Sequence, residues 1–183
     1  MSNWKQWVSA GCLVAMLVAV VAASYSDRTA KPMAINGDSL GPDTGESLDE
    51  YANRVSDSWK DLSDGQRTFA LITFTHPLVD RDAGELLERH GIRRVNAMLI
   101  DGQPAIPLPE PTGDNRRRDV FESYLSAARA RGMDARALRG VIVYEDKDHL
   151  ESLASDPSVA VVDSAPIDAS WGRLGVRMLE STK

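Results

Sequence analysis

The stretch Tyr-Glu-Asp-Lys-Asp-His, residues 144–149, places three carboxylates and an imidazole within six positions. Glu145, Asp146, Asp148 and His149 are residue types from which a metal site or an acid–base pair is built. The competing reading is a strand that ends at Tyr144 and a helix that begins just beyond it. Asp146 is then the N-cap, its carboxylate accepting N–H groups at Asp148 or His149. Asp148 and Glu151 sit near the positive helix end, where acids are favoured. Leu150, Leu153 and Ala154 become the buried face. The strand-to-helix reading accounts for nearly every residue of the stretch and is preferred on that ground.

Little else in the chain has catalytic spacing. His76 falls in a turn and His90 at a helix end, and no H-E-x-x-H or H-x-H spacing links the three histidines. There is no G-x-S-x-G elbow, no P-loop and no G-x-G-x-x-G. The single cysteine, Cys12, rules out an intrachain disulfide or a cysteine-based zinc site. The expectation is a chain with no catalytic residue, no metal and no cofactor. Arg116, Arg117 and Arg118 stand out because cations are disfavoured at a helix start. They are the candidate contacts for an anion or an acidic partner, against a solvated basic face.

The formal net charge is −6, and residues 1–24 hold one lysine and no acid, so the remainder is more acidic still. An acidic chain argues against nonspecific nucleic-acid binding, which is driven by Lys and Arg meeting phosphates. Residues 7–24 carry no charge, and Lys5 precedes them. That length is near the lower limit for a membrane-spanning helix. The positive flank predicts a short N-terminus inside and everything after Ser24 outside. Two outcomes stay open: an uncleaved anchor in the cell membrane, or a signal peptide cut after small residues, which would leave a secreted protein.

Residues 25–46 are rich in Gly, Pro, Ser and Asp and read as a flexible linker. Ser47 and Glu50 form a capping box opening a helix that runs to Leu62, with Tyr51, Val55 and Trp59 on its inner face. Residues 68–75 are a strand, followed by a turn at Pro77. Residues 82–91 are a short helix that Asp82 and Glu85 can cap and Gly91 ends. Residues 92–101 are a second strand. Four prolines between 104 and 111 predict an extended connector rather than a central strand. A third helix runs from about Asp114, its N-cap, to Arg131. A strand through Val141–Val143, the helix after Asp146 and a strand at Val159–Asp163 come next. The residues from Gly175 could add an edge strand.

Without the insertion at 102–137, the order is strand–helix–strand twice. That is the α+β, ferredoxin-like split β-α-β plan, with four antiparallel strands under two helices. The domain boundaries expected are 47–166 for this domain and 167–183 for a tail.

Val141–Val143, Leu150, Leu153, the Asp156-Pro157 step and Val159–Asp163 together resemble the second half of the subtilisin-propeptide type of peptidase inhibitor. Residues 68–101 are similar to its first half. The resemblance covers roughly Thr68–Asp101 and Leu138–Ala165. It implies a sheet that packs on a protease and a tail that enters the cleft, here Asp163, Ser164, Ala165 and Pro166. The expected function is therefore a non-catalytic, membrane-anchored extracytoplasmic domain that binds a protein partner, with protease inhibition as its sharpest form. The alternative is an envelope sensory or small-anion-binding domain using a pocket between the sheet and the inserted helix, with Arg116–Arg118 as contacts.

Overall fold

The structure, a computed structural model, describes residues 38–178, together with Trp4, Trp7, Val14, Ala15, Met16 and Val18. Those six are helical, and all but Ala15 expose large apolar side chains. The question of anchor or cleaved signal lies outside the described residues. Among the described residues no helix is long and apolar enough to cross a membrane. Contacts divide the chain into two units, Met1–Asn36 and Gly37–Lys183, and every strand among the described residues belongs to the second.

The elements of this second unit are β1 (Ser39–Leu40), α1 (Leu48–Val55), β2 (Arg67–Leu78), α2 (Asp80–Arg89), β3 (Val95–Leu99), β4 (Ile106–Pro107), α3 (Arg117–Ala130), β5 (Leu138–Asp146), α4 (Lys147–Ala154), β6 (Val159–Ser164) and β7 (Gly175–Val176). The fold is α+β. Five antiparallel strands lie in the order β4-β3-β5-β2-β6, and β1 pairs separately with β7 in parallel. Helices α2 and α4 each connect two strands that are not neighbours in the sheet.

The sheet is covered on both faces, which is why β2 and β5 read as nearly unbroken apolar runs. One face carries Ile72, Phe74, Val141 and Val143 against α2, α3 and α4. Leu86, Leu87, Phe121, Leu125, Leu150 and Leu153 of those helices are at most 1% exposed. Each such side chain contributes roughly 1.5–3 kcal/mol on burial. A Cβ on Gly84 of α2 would come within 2.8 Å of the Arg118 Cβ, so glycine lets α2 and α3 cross closely. The opposite face carries Phe69, Leu71, Leu99 and Ile142, and Leu40 and Ala165 close over it with Leu174 and Val176. Helix α1 covers β6 through Tyr51, Val55 and Val161.

Several boundaries differ from the sequence reading. The capping box at Ser47 and Glu50 forms as expected, but α1 stops at Val55 rather than Leu62. Ser56, Asp57 and Ser58 come next, short polar residues that compete for backbone hydrogen bonds; Ser56 Oγ donates to the Asn53 carbonyl. Trp59 is nonetheless buried beyond the helix end. Strand β2 runs past the expected turn and includes Pro77. Its register with β5 breaks between Thr73 and Leu78, where a residue without an N–H is tolerated. Neither Asp82 nor Glu85 caps α2, whose N-cap is Val79. The N-cap of α3 is Arg116, not Asp114, and Asp119 accepts its backbone N–H at 2.7 Å. The proline-rich connector contributes β4 at the sheet edge, the position open to proline. The expected linker extends to Glu46, yet Leu40 is 1% exposed.

Asp156 fastens the ends of α2 and α4. It accepts from Arg89 at 3.1 Å, His90 Nε2 at 3.0 Å and the Ser158 backbone N–H at 2.9 Å. Desolvation pushes its pKa up, but the bonds from His90 and Ser158 and the Arg89 charge hold it down at about 2, against an ordinary 3.8. A depressed carboxylate supplies stability above its unfolded value and loses it as the pH falls through the folded one. Wild-type urea midpoints are therefore expected to drop between about pH 4 and pH 2 by more than those of Asp156→Asn, measured as a pH series of urea melts.

Candidate functional site

A cleft of about 770 Å³ lies on the sheet face that α2, α3 and α4 do not cover. Its floor is Leu71, Thr73 and Thr75 of β2, Gly140 of β5 and Leu99 of β3. Residues 42–48 form one wall, and Arg177 and Met178 another. The strand period puts the floor residues of β2 on this side, while Ile72 points into the helix-covered core.

The wall is held by a buried network. Gly41 N–H and Tyr51 Oη both donate to Asp163 Oδ2, at 2.8 and 3.0 Å. Gly41 has φ +104°, and a Cβ there would overlap the Arg177 carbonyl. Only glycine lets β1 reach β7 at that point. Burial raises the Asp163 pKa, with the Gly41 and Tyr51 hydrogen bonds and the Arg54 charge opposing. Burial and the Asp163 charge raise that of Tyr51. Cations bordering the cleft have carboxylate partners. Arg177 pairs with Asp43 at 2.6 Å, Arg54 with Glu46 at 2.8 Å and Arg139 with Asp101 at 2.8 Å.

The residues assigned to an inhibitor-like tail lie within this packed region. Asp163 and Ala165 are 6% and 3% exposed. The Ala165 N–H donates to the Phe69 carbonyl at 2.8 Å, and Thr68 Oγ1 donates to the Ala165 carbonyl at 2.8 Å. Ser164 is half-buried and Pro166 exposed.

The three arginines do not converge. Arg117 is 4% exposed and turns inward. Its guanidinium donates to the Pro109 carbonyl at 2.8 Å, the Arg93 carbonyl at 3.1 Å and the Glu110 carboxylate. Arg116 approaches Glu88 at 3.9 Å and Arg118 approaches Asp119 at 3.5 Å, both at the surface. None of the three lines the cleft.

The histidines separate as well. His76 is exposed. His90 contacts Ser152 Oγ through Nδ1 at 2.7 Å and Asp156 through Nε2 at 3.0 Å. That order matches a nucleophile, base and carboxylate. However, Ser152 sits within α4, where neighbouring backbone N–H groups serve the helix and cannot hold an oxyanion. The contact works as a clasp between α2 and α4. His149 lies 2.7 Å from Asp146 through Nδ1 and 3.9 Å from Glu145. Asp146 is the N-cap of α4, accepting the His149 N–H at 3.3 Å, as the sequence predicts.

Comparison with known protein families, curated proteins and solved structures finds no match.

The cleft was not expected from the sequence. Its floor comes from three strands and its walls from segments more than a hundred positions apart. The one local signal is the Gly41-Pro42 step, a breaker pair in a stretch read as linker.

Proposed function

We propose that this chain is a non-catalytic extracytoplasmic binding domain, held at a membrane by residues 7–24, that takes an extended segment of a protein partner into the outer cleft. The observation that carries this reading is the cleft itself, whose apolar and hydroxyl floor lies along β2, β3 and β5. An extended segment offers alternating side chains to such a surface. The carboxylate partners of the bordering arginines disfavour a small anion as the ligand. The uncharged run Trp7–Ser24 and the exposed helical Trp4, Trp7, Val14, Met16 and Val18 support an anchor.

The strand order β3-β5-β2-β6, with α2 and α4 in the connections, supports the ferredoxin-like split β-α-β plan. The subtilisin-propeptide resemblance fits that plan, but the mode of binding proposed here differs from the one it implies. The sheet face and Asp163–Ala165 are engaged by the chain itself, so the partner sits beside the terminal segments rather than on a bare sheet.

Panning a random peptide library on the full chain in detergent tests the cleft. The selected peptides are expected to weaken by at least about tenfold, roughly 1.4 kcal/mol, on Thr44→Trp and Met178→Glu, with melting temperatures unchanged. Peptides indifferent to both variants, or stoichiometric inhibition of a subtilisin-type protease lost on changes at 163–166, would overturn the cleft reading. Mass measurement of the mature chain in the membrane pellet separates anchor from cleaved signal.

A further inference from the structure

We propose that Glu145, Asp146 and His149 form a binding site for a divalent cation of the zinc class. The three offer one ligand atom each, and these atoms lie within 4.8 Å of one another. Zinc bonds of about 2.0–2.1 Å in a tetrahedron place ligand atoms about 3.3 Å apart. The distances from His149 Nδ1, 2.7 Å to Asp146 and 3.9 Å to Glu145, straddle that spacing. Small side-chain rotations close the difference.

The helix cap accounts for Asp146 and leaves Glu145 without a purpose. Glu145 is 2% exposed. Buried carboxylates are ordinarily held by charge-assisted hydrogen bonds of about 2.7–2.9 Å, because an uncompensated buried charge is costly. Among the described residues, its Oε1 has only a long bond from the Arg93 N–H at 3.4 Å. Its Oε2 has, among the described residues, no partner nearer than Arg67 at 3.8 Å and His149 Nδ1 at 3.9 Å. Arg67 also reaches Asp146 no closer than 4.0 Å, on a side chain 51% exposed. Glu145 thus depends on one distant, half-exposed cation that can swing away, while Asp146 is also held by His149. Asp146 Oδ1, the oxygen 2.7 Å from His149 Nδ1, also caps α4, and a carboxylate oxygen has a second lone pair free for a metal beside that bond. His149 is partly exposed, so water has access to a fourth position.

The donor set selects the ion. One imidazole nitrogen with two carboxylates suits zinc and neighbouring transition ions. Calcium takes six to eight oxygen ligands, and magnesium prefers a mostly hydrated oxygen shell. Bound there, the ion ties the end of β5 to the first turn of α4 and displaces Arg67.

Zinc titration of the full chain in detergent, by calorimetry and by melting temperature, tests the site, with cobalt as the spectroscopic probe. One zinc per chain is expected, with a rise in melting temperature and a cobalt spectrum of low coordination number. Glu145→Gln and His149→Ala should each weaken binding by at least about tenfold. Arg67→Ala should strengthen it by removing the competing cation. Absence of saturable binding up to millimolar zinc overturns the proposal. So does binding that survives both ligand variants, as adventitious capture at exposed His76 would, or binding that weakens in Arg67→Ala. Glu145→Gln keeps the side-chain shape, and its own melt without zinc shows that the fold is intact.

Discussion

Replacing Arg117 by alanine is expected to cost about 2–4 kcal/mol of stability, because it strips the donors from two carbonyls, each unsatisfied buried group costing about 1–3 kcal/mol. The guanidinium is one of the few buried charges, and it joins three segments: the Pro109–Glu110 connector, the Arg93 carbonyl ahead of β3, and α3. Truncation leaves two carbonyls without donors and frees the connector from the sheet edge. Arg117→Lys should recover only part of the loss, because an ammonium lacks the planar fork that meets several acceptors at once. Urea denaturation gives the magnitude, and hydrogen exchange should show faster opening around Leu108, whose N–H donates to the Asn96 carbonyl at 2.9 Å. A cost under about 1 kcal/mol, the range of an exposed ion pair, would mean that the clasp carries little.

The second large effect is expected at Gly140. This glycine lies in β5, the central strand, opposite Thr73 of β2 and Leu99 of β3. A Cβ there would overlap the Ile72 carbonyl oxygen, a backbone atom of the neighbouring strand. Strand propensity favours Gly140→Val, but here the contact decides the sign. With partners on both sides, β5 has no room to shift without breaking a ladder. Gly140→Val is expected to cost about 3 kcal/mol or more, read as a melting temperature lower by roughly 6–12 °C. Gly140→Ala should go the same way. A valine variant that melts within about 2 °C of wild type would show that the sheet yields there.

Much of the fold is legible in the sequence where local chemistry decides it. The Ser47–Glu50 box, the Asp146 cap, Gly91 as a helix stop and the apolar runs of β2 and β5 are all local signals. What escaped was set at a distance. Leu40 reads as a linker residue because nothing nearby marks it as buried; its partners, among them Leu71, Leu99 and Ile142, lie far along the chain. Arg117 reads as part of a basic run because no sequence rule says which of three adjacent arginines turns inward. The cleft inherits the same difficulty. For Tyr144–His149 the cap was legible, but not the burial of Glu145, which depends on how Arg67 and Arg93 pass over it.

The pairing of β1 with β7 has a consequence for the order in which the protein is made. Ser39 meets Gly175, 136 positions later. A chain emerging from ribosome or translocon presents β1 early and waits for nearly the whole domain before its partner arrives. Through that interval Phe69, Leu71, Leu99 and Ile142 form an uncovered apolar sheet face beside an unpaired β1. Closing so long a loop comes late for entropic reasons. The nascent domain is therefore most vulnerable to sticking to its neighbours just before Gly175 is released, and a translational pause upstream of that residue would lengthen the danger.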